Sequence, residues 1–352
     1  MLKKILMASM ASVLLQLAAC RCTNANVIYD VSSGEKIYIE TESSGWIEII
    51  AFVDKEKKTF TTLQCLGGNS KQKERTLRMK TYDIRGKMLT QRILPFDFYY
   101  DVNAEYSFSP DGEKIVYHDE KSKSLHLYNI KTGINIPLGP DIGKYSGAIK
   151  KLMFINDKEY IVFLNEDLEL GRIGDQMVLG NIQNKTYTIF KGKLEESSRY
   201  SDAAISSNHK TIAIPWGLVT NDVAFLSLSD FNVRTVRFPN LSYVQALAWN
   251  GNDELAVAGW GINLYHLKTG KIEPVLPMEK GDRFIVGDLF FIDKDKLLSI
   301  GWKAKDSGNV EECTLIDLKK KEPVEHFSLM SRNWKQIDDH TLLYDTICWF
   351  WF

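Results

Sequence analysis

This chain lacks an excess of either positive or negative charge. Its 352 residues carry 44 Lys+Arg against 45 Asp+Glu, and no block of like charge interrupts the balance. A polyanion is held by clustered Lys and Arg that displace condensed counterions, so nucleic acid is not an expected partner. Cysteine is scarce, five in all, which excludes a small scaffold stapled by disulfides. Cys22, Cys65, Cys313 and Cys348 match no metal spacing, and of the three pairings open to four thiols their positions select none. After residue 19 no apolar run reaches the ~18 residues of a spanning helix. Helical periodicity is also lacking, with no segment sustaining it beyond about three turns. With 44% hydrophobic and 25% charged residues the chain is nonetheless an ordinary globular one, not a disordered tail.

The first 19 residues stand apart. Lys3 and Lys4 precede an apolar stretch from Ile5 to Leu17, the form of an export signal. Leu17, Ala18, Ala19 and Cys20 resemble the bacterial lipobox, and that resemblance implies a diacylglyceryl group on the Cys20 thiol, with residues 20–26 as a short tether. Each buried acyl methylene contributes about 0.8 kcal/mol, so several chains hold a protein firmly to a bilayer. The expected partner of Cys20 is therefore a membrane and the expected address the cell envelope, anchored in the outer membrane or in a periplasm-facing membrane. Arg21 is not the Asp that retains many lipoproteins in the inner membrane, so outer-membrane sorting is allowed. The alternative is cleavage at an A-x-A-like site near Ala25, giving a secreted protein.

What the remainder contains is a repeat. Tyr106 to Tyr117, YSFSPDGEKIVY, reads as a short strand, a tight Pro-Asp-Gly turn and a second strand rich in β-branched and aromatic residues. The same frame recurs from Phe154, Ile205, Trp249 and Phe291, with weaker copies at Phe52 and Gln336. A second signature follows each hairpin, an alternating strand ending in a polar turn, as in LHLYNIKTG and INLYHLKTG. After Gln336 the chain leaves no room for that signature, but VIYDVSSGEKIYIE (27–40) supplies it at the other terminus. Seven units of four strands, roughly 40 to 50 residues each, predict an all-β fold, a seven-bladed β-propeller over 27–352. Its last blade is shared by 27–42 and 333–352, because a single sheet cannot bury two apolar faces and a closed ring leaves none open. The apolar run ICWFWF (347–352) fits a strand buried between blades.

FSPDGEKIVY (Phe108 to Tyr117) resembles the TolB-type, WD40-like propeller repeat, whose mark is a Phe-Ser-Pro-Asp-Gly turn before an apolar strand. Only this blade carries the motif whole; the others share its period. The resemblance implies the fold, and not the partners of TolB, which has a further N-terminal domain.

Catalytic signatures are absent. The six histidines show no HxH or HExxH spacing, and there is no GxSxG, GxxxxGK, CxxC or Asp box. No catalytic residue, metal ligand or cofactor is therefore predicted. Aromatic residues do recur. Trp216, Trp260 and Trp302 share one column at the end of the second strand in three successive units. Tyr99, Tyr100, Tyr145, Tyr200 and Tyr243 lie just ahead of innermost strands, on loops that belong to the same end of a propeller. Rings of this kind give large contact area at low entropy cost and suit peptides, proteins or glycans. Blade packing uses bulky aromatics as well. The expectation is thus a membrane-anchored binding or scaffold protein with an aromatic face. One alternative is a hydrolase or lactonase whose metal is held at the channel by non-repeating residues such as Asp101, Asp202 and Asp288. Another is a structural subunit that docks through exposed apolar blade rims.

Overall fold

The computed structural model describes residues 25–30, 36–40, 48–66, 76–95, 106–119, 122–141, 149–167, 172–191, 203–216, 220–239, 241–276, 284–305, 308–327, 334–337 and 341–346. Every regular element among them is a β-strand, and the 28 strands form seven antiparallel four-stranded sheets. Six sheets are built from consecutive strands: blade 1 within 48–94, blade 2 within 106–141, blade 3 within 149–191, blade 4 within 204–237, blade 5 within 246–276 and blade 6 within 284–327.

Blade 7 joins the two ends of the chain. Its strands run, from the innermost outwards, Trp334–Gln336, Thr341–Thr346, Ala25–Asp30 and Lys36–Glu40. The closing pairs include Val27 with Tyr344, Ile28 with Leu343 and Tyr29 with Leu342. The expected closing of the last blade by N-terminal strands is therefore what is found, with Thr341–Thr346 making the closing contacts, but the first strand begins at Ala25, so Ala25 and Asn26 belong to the ladder and not to a tether; ICWFWF lies outside the described residues.

The packing explains why the ring must close. Seven clusters of buried apolar side chains are present, each made chiefly by two neighbouring blades. A strand alternates its side chains between faces. Val27 and Tyr29 accordingly enter the cluster shared with blade 6, beside Ile292, Leu298 and Cys313. Ile28 points the other way and meets Ile50, Phe60 and Tyr82 of blade 1. These three adjacent residues are each at most 5% exposed, so one short strand seals two interfaces.

The repeated hairpin has a common construction. In blade 2, Ser109 N–H donates to the Lys114 carbonyl and Gly112 N–H to the Ser109 carbonyl. Asp111 Oδ1 accepts from Glu113 N–H at 2.9 Å, and Ser109 Oγ accepts from Lys114 N–H at 2.9 Å. Blade 4 copies each contact with Ser206, Asn208 and His209. Gly112 has φ 70° and His209 has φ 57°, so an imidazole-bearing residue occupies the left-handed position that glycine fills in blade 2. The landmark residues also lace the blades together. Phe52 stacks on Phe108 with centroids 5.3 Å apart. Trp249 Nε1 donates to the Ala204 carbonyl at 3.0 Å, and Gln336 Nε2 to the Phe291 carbonyl at 2.7 Å.

Blade 1 buries one ion pair. Lys80 Nζ lies 2.9 Å from Glu48 Oε2, with the two side chains 5% and 0% exposed. Glu48 also accepts from the hydroxyls of Thr62 and Tyr82. Such burial is tolerable only when the carboxylate's lone pairs are met, as they are here.

Candidate functional site

Chain direction alone assigns the ends of the ring. Loops that lead from one blade into the next, and loops between second and third strands, fall at the same end. Tyr243 lies on the connection into the innermost strand of blade 5 (Ala246–Asn250), and Trp260 follows that blade's second strand (Glu254–Ala258). The two meet there. Trp260 Nε1 donates to the Tyr243 hydroxyl at 3.0 Å, with the rings edge to face at 6.1 Å. Both are partly buried.

Glycine makes this approach possible. A Cβ on Gly259 would fall 1.8 Å from the Tyr243 carbonyl oxygen, so no other residue fits beside that backbone. Val286 N–H donates to the Gly259 carbonyl at 3.2 Å, which ties the corner to blade 6. The pair is thus held from two sides, with both residues partly exposed.

The other expected aromatics divide. Trp216 ends the second strand of blade 4 (Thr211–Trp216) and packs against the core between blades 3 and 4, beside Ile161 and Ile214. It is partly buried, and interblade packing accounts for it. Trp302 sits in the second strand of blade 6 (Lys296–Lys305), opposite Ile285 and Glu311. Tyr99, Tyr100, Tyr145 and Tyr200 lie outside the described residues, as does Cys20.

A second feature lies on the ring axis. A cavity of about 370 Å³ is lined by the innermost strands of blades 1, 4, 5, 6 and 7. Small side chains open it, Ala203, Ala204, Ala246 and Gly287, and Lys55, Gln245, Asp288, Lys335 and Gln336 bring polarity. Gln336 is committed to the wall: its amide donates to Phe291 and its Oε1 accepts from Lys55 Nζ at 3.3 Å. Lys335 is held below the usual lysine range because burial disfavours its charged form, against which the Asp288 carboxylate works. Among the described residues no hydrogen bond or ion pair reaches the Lys335 amine, and none reaches the Gln245 amide.

Of the three carboxylates expected at the channel, Asp288 lines this cavity, while Asp101 and Asp202 lie outside the described residues. Among the described residues no group of three or more His, Cys, Asp or Glu could hold a metal ion. Lys335, Gln245 and Lys55 escape a reading based on repetition, because channel positions carry a different residue in each blade. The available signal is a lone lysine beside Gln336, where other blades place apolar or small residues such as Ala204, Ala248 and Phe290.

Apolar side chains are also exposed on outer strands. Met88, Leu89 and Ile93 of blade 1 are 50%, 48% and 50% exposed, and Tyr38 on neighbouring blade 7 is 61% exposed.

Comparison with solved structures agrees with this architecture. The β-propeller domain of Cps50 (Swd1) from Myceliophteria thermophila is similar at TM-score 0.53 and 9% identity, covering 84% of this chain and 90% of that one. No family model matches the sequence, and no curated protein does. At such low identity the likeness concerns the fold. The chain is a seven-bladed β-propeller.

Proposed function

We propose that this propeller is a lipid-anchored binding module outside the cytoplasm, engaging a peptide, protein or glycan at the end of the ring that carries Tyr243 and Trp260. One observation carries the reading. Ala25 pairs with Thr346, the last residue of a second strand, so the leader joins the ring at the same end as the aromatic pair. With Cys20 acylated, as the lipobox resemblance implies, at most about 18 Å of extended chain separates the anchor from Ala25. The partner is then met close to the bilayer. The Ser-x-Asx turns of blades 2 and 4 support placing the repeats with the TolB-type class.

The channel favours binding over metal-assisted hydrolysis. Asp288 has a lysine as its electrostatic neighbour, an arrangement that weakens a cation site. The half-exposed apolar side chains of blades 1 and 7 favour a second reading, a protein docked on the rim.

A glycan and peptide array probed with the full chain tests the aromatic end. Trp260→Ala is expected to lower the signal about tenfold or more, as loss of a buried aromatic anchor does. Equal signals from wild type and variant would contradict the reading. Mass spectrometry of the mature chain tests the anchor: the expected first residue is Cys20 bearing a diacylglyceryl group, whereas a chain starting after Ala25 would favour the secreted alternative.

A further inference from the structure

The axial cavity has its own chemistry, independent of the aromatic end. Two of its side chains are unspent. Lys335 and Gln245, on blades 7 and 5, both line it, and neither makes a side-chain hydrogen bond among the described residues. The remaining wall is largely small or apolar, as at Val53, Ala246 and Leu289. A volume of about 370 Å³ is at the lower end of small-molecule pockets. We propose that this cavity binds a small organic monocarboxylate, its carboxylate against the Lys335 amine and Gln245, its apolar body among the alanines and Leu289.

The charge count selects a single negative charge. With Lys335 protonated, the wall carries the two lysine charges of Lys55 and Lys335 against the one carboxylate of Asp288, so one further negative charge balances it and a second is repelled. A dicarboxylate or a phosphate dianion therefore fits less well than a monocarboxylate. An arriving carboxylate forms a charge-assisted hydrogen bond with the lysine and favours its protonated form, offsetting the burial that opposes it. The amide of Gln245 can donate to the second carboxylate oxygen.

Isothermal titration of the full chain in detergent with pentanoate, pentanamide and inorganic phosphate tests this. Pentanoate is expected to bind, with pentanamide and phosphate about tenfold weaker or more. Lys335→Met is expected to remove the preference for pentanoate over pentanamide, Lys335→Arg to keep part of it, and Gln245→Leu to weaken pentanoate binding severalfold. A second measurement needs no variant: after reductive methylation with ¹³C-formaldehyde, the Lys335 resonance is expected to titrate at higher pH in the presence of pentanoate. Equal binding of pentanoate and pentanamide, unchanged preference in Lys335→Met, or an unmoved Lys335 titration would overturn the proposal.

Discussion

Gly112 and His209 occupy equivalent turn positions with positive φ, and their side chains set opposite expectations. A Cβ on Gly112 would lie 2.6 Å from the Phe52 ring, which stacks on Phe108. Gly112→Ala is therefore expected to destabilise by roughly 1–3 kcal/mol, combining left-handed strain with a clash in a packed interface. His209→Gly relieves the same strain where the side chain is exposed and is expected to be neutral or stabilising by up to about 1 kcal/mol. Denaturant titration of the two variants separates these outcomes. Glu48→Gln should cost about 3–5 kcal/mol, because it leaves the buried Lys80 ammonium without its counter-ion. The double replacement Glu48→Leu with Lys80→Met should recover much of that loss in the same titration. The turn residues are legible in sequence because blades 2 and 4 solve the same backbone problem, so Ser-x-Asx recurs in blade 4 even where Pro and Gly do not. The Glu48 network is not legible, since it joins three strands of blade 1 alone.

Strands show the same division. An unbroken apolar run makes the closing strand readable, as Val27, Ile28 and Tyr29 are apolar on both faces in the manner of a strand sandwiched between blades. Burying three such side chains contributes on the order of 5–9 kcal/mol gross, similar to the whole stability of a domain. A chain lacking 25–40 should lose its cooperative thermal transition, and a melt as sharp as that of the full chain would contradict closure by these strands. Between blades 5 and 6 a cluster of ion pairs lies on the outer rim. Lys271 and Lys321 bond to Glu273 at 2.7 Å each and hold its carboxyl at about 2, against an ordinary 4.5. A depressed carboxyl contributes stability that is complete above its unfolded value and is lost as pH falls from about 4.5 through about 2. Glu273→Gln should flatten the melting temperature against pH in that window, while above it the variant should be the less stable.

At the scale of the molecule, the ring is legible from period and turn chemistry, whereas its use is not. A propeller presents one wall of the channel from each blade, so functional channel residues differ from blade to blade and leave no period to find. The proposed ligand contacts, Lys335 and Gln245, are of this kind. The aromatic column is only partly a surface feature: Trp216 serves packing, while Trp260 reaches Tyr243 at the end of the ring where Ala25 pairs with Thr346. On the proposed function, a lipid anchor at Cys20 and this aromatic end face the same bilayer. Energy transfer from a membrane dye measures it directly, using the full chain in vesicles with a fluorophore placed either at Ser242, beside Tyr243, or at Lys57, in the turn at the opposite end of the ring. Transfer is expected to be markedly more efficient from Ser242. Equal transfer from both positions, or greater transfer from Lys57, would contradict it.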